Sequence, residues 1–185
     1  PEGMKQAKRV AIVGFHINME EPKSVVGDFQ KLSSLAKGNV EDAVPESDTA
    51  DQIYATLATR LNREMNWDVK PIDAVRSNAQ YKELYVKYTK GFQVRGMKGE
   101  GMKTLRAHGI VDAEPVHAKM SQAEREKLMD ALGVNAIVAD NVLATLKNES
   151  TMGGMIGRAK YKPRTQNIIR VFVRGKPEPV WFDTW

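Results

Sequence analysis

The sequence predicts an α/β fold: a mixed sheet with parallel early strands and an antiparallel C-terminal meander, with helices packed on the sheet. Three observations predict it. The run Val10-Ala11-Ile12-Val13-Gly14-Phe15 is continuously apolar, the pattern of a strand covered on both faces. Helical patterns separate the early strand patterns, which implies crossover connections and parallel pairing. The last strand patterns are closely spaced around a turn at Gly175-Lys176-Pro177, which implies antiparallel neighbours.

Each element has its own signal. Ser24 to Lys37 places Val25, Phe29, Leu32 and Ala36 on one helical face, and Gly38 stands after it as a C′ residue. Asn39 to Ser47 reads as a loop. The clearest helix runs from about Thr49 to Asn66, with Ile53, Leu57, Leu61 and Met65 recurring at i+4 and Asp48 as the expected N-cap. Trp67 to Pro71 reads as a short strand ended by proline. Asp73 or Ser77 is expected to cap a helix carrying Tyr81, Leu84, Tyr85 and Tyr88 on one stripe, a spacing read as core packing rather than as a ligand box. Gly91 to Gly109 reads as irregular and glycine-rich. Ser121 and Glu124 form a capping box, Leu128, Ala131 and Leu132 are expected to face inward, and Gly133 ends that helix. A long strand pattern runs from Val134 to Leu146, and the glycine-rich Met152 to Gly157 interrupts the strand pattern. Ile168 to Val173 and Val180 to Phe182 are the last strands.

The chain has 185 residues, read as a single domain over 1–185 with a flexible lead-in at 1–8. A chain of this length buries roughly 70% of its unfolded surface and needs neither disulfide nor metal to hold a core. It has no cysteine, which excludes disulfide frameworks, thiolate zinc sites and cysteine nucleophiles. The net charge of +5 permits attraction to phosphate, anionic lipid or an acidic protein without selecting among them. No apolar stretch approaches the ~20 residues that span a bilayer. The start at Pro1, without an initiator Met, is read as an upstream segment removed: a signal peptide, a tag or an expression choice.

Few residues offer chemistry. His16, His108 and His117 show no helical metal-binding spacing, and no nucleophile-elbow motif occurs, so no metal, cofactor or catalytic residue is assigned. His16 stands where the first strand ends, a place where α/β sheets hold ligands. Two basic, glycine-containing segments remain. Gly96-Met97-Lys98-Gly99 is a GxxG loop of the kind that lets backbone approach a single strand's phosphates, with Gly96, Lys98 and Gly99 as candidates; a plain surface loop is the alternative. Arg158, Lys160, Lys162 and Arg164 alternate, so on a strand they share one face, and no Asp or Glu occurs from Ser150 through Pro177. That strip is either a sheet edge protected by cations or a surface for an anionic partner.

The order and several segments resemble a known group. Lys8 to Phe15 looks like the opening strand of cell-envelope proteins related to the TolB amino-terminal domain and to the CsgG curli-secretion family. Ala50 to Met65, leading into Trp67-Asp68-Val69-Lys70-Pro71, is similar to their next helix and strand. Leu132-Gly133-Val134-Asn135-Ala136-Ile137-Val138 resembles their later segment, with Asn135 where an acidic residue is common. The resemblance implies a mixed α/β domain of the bacterial envelope acting by protein–protein contact, without catalysis. It transfers no site residues, and the lipidated cysteine frequent in the group is absent.

These readings lead to a non-enzymatic interaction domain, periplasmic or associated with the outer membrane, with a protein partner and no cofactor. The alternative is a cytoplasmic nucleic-acid-binding module using the basic strip and the GxxG loop. A third reading is an enzyme whose site is assembled from distant residues around His16.

Overall fold

A computed structural model describes residues 2–20, 46–89, 102–148 and 161–184. Its central strand β1 spans Arg9–Glu20, and Val10 to Val13, Phe15 and Ile17 are wholly inaccessible to solvent. β1 pairs in parallel with β2 (Asp68–Val69) on one side and β4 (Ala136–Asn148) on the other. β4 pairs antiparallel with β5 (Tyr161–Val173), and β5 with β6 (Trp181–Thr184), giving the order β2-β1-β4-β5-β6. The parallel early strands and the antiparallel C-terminal meander are therefore as the sequence predicts.

One strand is hidden in the sequence. Met102–Arg106 forms β3, antiparallel to the second half of β1, inside the stretch that reads as irregular from sequence. The strand expected at Trp67 to Pro71 shrinks to Asp68–Val69, and the last long strand reaches back to Tyr161. The helix expected at Ser24 to Lys37 and the Met152 to Gly157 interruption lie outside the described residues.

Helices cover both faces. α1 spans Asp48–Met65, and its Tyr54 meets Phe15 edge-on, with ring centroids 5.6 Å apart. The opposite face of β1 carries Gly14, against which α4 (Ala113–Ala118) is pressed. A Cβ at Gly14 would lie 2.8 Å from Val116 Cγ2 and 3.0 Å from Ala113 Cα, so this glycine permits close helix–strand approach. α5 (Gln122–Leu132) covers the same face further along, with the Arg125 guanidinium 4.5 Å from the Phe172 ring centroid. α2 (Ile72–Ser77) and α3 (Ala79–Thr89) form a pair, and α3 packs on α5.

The caps correct the sequence reading in two places. Ser47, not Asp48, caps α1: its hydroxyl accepts from Thr49 N–H, and Asp48 is the first helical residue. Neither Asp73 nor Ser77 caps α3. Asn78 takes that role, its Oδ1 accepting from Tyr81 N–H at 3.1 Å, while Asp73 binds Arg76. The capping box of Ser121 and Glu124 is present, and Gly133 closes α5 with φ of 65°. On α5 Leu128 and Leu132 are buried as expected, but Ala131 is exposed and Met129 takes the inward position.

The tyrosine stripe packs the core and also completes β1. Between β2 and β3, the outer edge of β1 has, among the described residues, no strand neighbour to satisfy Ile12 and Val13. Tyr54 Oη donates to Ile12 C=O at 2.8 Å and Tyr81 Oη donates to Val13 C=O at 2.7 Å. Tyr81 Oη also accepts from Val111 N–H at 3.0 Å, and Phe15 N–H donates to Val111 C=O at 2.9 Å. Buried backbone groups must find partners, and here two side chains and a loop do what a longer β2 would have done.

The lead-in read as flexible forms a 3-10 turn at Glu2–Gln6 followed by the buried Ala7. Asn135 holds it: Oδ1 accepts from Lys8 and Arg9 N–H at 3.2 and 2.9 Å, and Nδ2 donates to Gln6 C=O. A carboxylate at 135 could accept the first two bonds but could not donate the third. Trp181 is half-buried against Trp67, 6.4 Å between centroids, and Trp185 lies outside the described residues.

Candidate functional site

The described residues bring chemistry together in four places. The first is the far end of the β4–β5 ribbon. β4 and β5 pair from Ala136 opposite Val173 to Asn148 opposite Tyr161, whereas β1 accompanies β4 only to Ala144 and β6 accompanies β5 only over Ile168 to Val171. Thr145 to Asn148 and Tyr161 to Arg164 therefore pair, among the described strands, only with each other. Lys162 stands opposite Lys147, and Arg164 opposite Thr145. Two residues apart on β5, Lys162 and Arg164 occupy positions of one face, as the sequence predicts. Arg164 and its neighbours Thr165 and Gln166 are exposed. The remaining candidates, Arg158, Lys160, Gly96, Lys98 and Gly99, lie outside the described residues. Further along, the strip breaks up: Arg170 is half-buried, and Arg174 is ion-paired with Asp130 at 2.5 Å.

The second place is a polar row on the α4 face. Thr104 Oγ1 on β3 donates to Asn18 Oδ1 at 2.7 Å, and Asn18 Nδ2 on β1 donates to Asn141 Oδ1 on β4 at 3.1 Å. Beside Asn18 on that face, His16 is buried and its Nδ1 accepts from Ala113 N–H at 3.2 Å. Burial, reinforced by Arg170, lowers its pKa to about 4, so the imidazole is neutral at pH 7. Asp112 next to Ala113 is raised to about 6 by burial, against the opposing pull of Arg106. His16 thus titrates under burial and Arg170, and Asp112 under burial and Arg106.

The third place is the loop after β3. His108 donates its backbone N–H to Asp51 Oδ1 at 2.8 Å, its Nδ1 lies 3.0 Å from Asp51 Oδ2, and Asp48 Oδ1 is 3.9 Å away. Glu46 accepts from Tyr85 Oη at 2.6 Å and Gly109 N–H at 3.1 Å, with Arg106 at 3.5 Å. Burial alone would raise the Glu46 pKa, but the Tyr85 hydroxyl, Gly109 and Arg106 outweigh it and hold it below the usual range. Burial and the Glu46 hydrogen bond push Tyr85 up to about 12. These bonds clamp the 107–110 loop to the amino end of α1. Sequence spacing misses the meeting of His108 with Asp48 and Asp51 because 57 positions separate His108 from Asp51.

The fourth place is Asp140 on β4, between Phe15 of β1 and Ile169 of β5. It is wholly buried and neither oxygen makes a hydrogen bond of normal geometry; burial raises its pKa to about 7, against the weaker opposing pull of the Asn141 backbone N–H. No periodicity flags it, since Asp140-Asn141 reads as a polar pair inside an otherwise apolar strand. A shallow cavity of about 310 Å³ lies elsewhere, at the amino ends of β1 and β2, lined by Arg9, Asp68, Lys70 and Gly133. That end is opposite to the carboxyl ends where parallel strands present ligand sites. Among the described residues no helix is long and apolar enough to cross a membrane.

Comparison with protein-family models, with curated proteins and with solved structures finds no match.

Proposed function

We propose that this chain is a non-catalytic binding domain of the bacterial cell envelope, which engages an acidic face of a protein partner through the far end of the β4–β5 ribbon. The charge of that end carries the reading. Lys147 and Lys162 are directly opposed in register, Arg164 is exposed beside them, and no acid occurs from Ser150 through Pro177. Basic residues gathered at neighbouring register positions offer charge complementarity to carboxylates of a partner. Several titratable groups assembled elsewhere are engaged in structure: Glu46 and Asp51 in loop bonds, His16 at the start of α4. The envelope setting rests on the resemblance of the segments around Val10, Ala50 and Leu132.

A photoreactive residue placed at the exposed Gln166, beside Arg164, tests this in cells, with the exposed Lys82 on α3 as control. The expected result is a protease-sensitive adduct at 166, absent at 82 and lost when Lys147, Lys162 and Arg164 are changed to Glu. A nuclease-sensitive adduct at 166 would replace the protein-binding reading with nucleic-acid binding. Equal labelling at both positions would end both readings.

A further inference from the structure

We propose that Asp140 is a pH-sensitive element of the sheet: it is held as the neutral acid in the folded chain, and its ionisation loosens the β4–β5 ribbon. The inference does not depend on what the ribbon binds. Asp140 stands opposite Phe15 on β1 and Ile169 on β5, with Val138 and Val142 two residues away on the same face of β4. Phe15 and Ile169 are wholly buried, and Val138 and Val142 are buried too. Neither carboxyl oxygen of Asp140 makes a hydrogen bond of normal geometry, and the Asn141 backbone N–H, which favours the ionised form, is outweighed by burial.

Among the described residues, no counter-charge faces it. From β1 the same face carries Phe15 and Ile17, and from β5 it carries Ile169, Asn167 and Val171. α1 contributes Tyr54 against Phe15, whose hydroxyl is committed to Ile12 C=O. His16 pairs with Asn141 and Arg170 with Ala139, so register puts both on the other face. A carboxylate in such surroundings has two ways to escape the cost of desolvation: it takes up a proton, or the strands part and admit water. Below neutrality the first operates. As pH rises the second takes over, and the strands flanking Asp140 are those that lead into the far end of the ribbon.

The sign is set by proton binding. The folded state holds the proton to higher pH than the unfolded chain, so stability is fully present below the ordinary aspartate range and is lost as pH rises to neutrality. From roughly pH 4 to 7 this group alone raises the unfolding constant about tenfold per pH unit, then levels off.

Urea unfolding of the full chain and of Asp140→Asn at pH 5, 6, 7 and 8 tests the proposal, because the ratio of the two unfolding constants cancels the other titrations. The ratio is expected to rise at least tenfold between pH 5 and 7 and to flatten by pH 8. A constant ratio would overturn the proposal. Carbon-13 titration of the Asp140 carboxyl in the unmodified chain needs no variant: a midpoint near neutrality supports it, and one below pH 5 overturns it. At pH 8, amides of β4 and β5 should exchange faster in the unmodified chain than in Asp140→Asn, while those of α5 change less. Equal protection of β4 and β5 in the two proteins would refute the loosening.

Discussion

Tyr81 shows how much one hydroxyl holds in this fold. It is fully buried between the Val13 carbonyl and the Val111 amide, and burial drives its pKa well above the usual phenol value. Tyr81→Phe removes one oxygen and leaves both backbone groups unpaired, at a cost of about 2–4 kcal/mol. Tyr54→Phe orphans only the Ile12 carbonyl and should cost about 1–2 kcal/mol. Tyr88→Phe gives up only a 3.4 Å contact with Glu124 and should stay within about 0.5 kcal/mol of the parent. Urea midpoints of the three variants check the order, and a Tyr88 variant as damaged as the Tyr81 variant would refute the edge-completing role. The packing role of this stripe is legible in its i, i+3, i+4, i+7 spacing. The hydroxyl roles are not, because they depend on a gap between β2 and β3 that only the tertiary register creates.

At the scale of elements, signals local to the chain are legible and long-range ones are not. The Ser121–Glu124 box lies within four residues, and both of its bonds form. Asn78 is masked by its neighbours: Ser77 ends α2, and the short break between α2 and α3 leaves Asn78 as the residue outside both helices. Ser121→Ala and Asn78→Ala should each cost about 1 kcal/mol, measured as loss of thermal or urea stability. Asn78 also donates to Ala131 C=O at 2.9 Å, tying α3 to the end of α5, so Asn78→Asp should recover the cap but not the tie and fall between. β3 is invisible in the sequence because Met102 to Arg106 has no clean alternation. Its partner is the tail of β1, about 85 residues earlier, and it takes the outer side of the sheet where Lys and Arg are tolerated. The candidate ribbon is legible in part: the alternation of Lys162 and Arg164 is visible, but the Lys147 opposite them belongs to another strand and emerges only with the register.

For the whole molecule, the groups whose pKa is shifted by the fold together set where on the pH scale it is most stable. On the acid side, Glu124 is drawn down to about 2 by Lys87 and the Ser121 N–H, and Glu46 is held low by its partners against burial. Their contribution is present above the ordinary glutamate range and is lost as pH falls below it. On the other side, Asp140 at about 7 and Asp112 at about 6 each lose stability as pH rises from the ordinary aspartate range. His16 opposes them. Lowered to about 4 by burial and Arg170, it is neutral when folded but protonated when unfolded, so stability rises with pH until the ordinary histidine range is passed. Between about pH 4 and 6 the two acids outweigh the one histidine by a single proton, a net fall of about 1.4 kcal/mol per pH unit. Closer to neutrality Asp140 and His16 oppose each other, so the fall should become shallower there. The urea midpoint should therefore peak between about pH 4 and 5, below the range common for folded proteins. A series from pH 3 to 9 checks this, and His16→Gln should steepen the fall above pH 4. A midpoint that climbs to a plateau at pH 7 to 8 would mean that the two aspartates ionise inside the native fold at ordinary cost, with water or a cation reaching them.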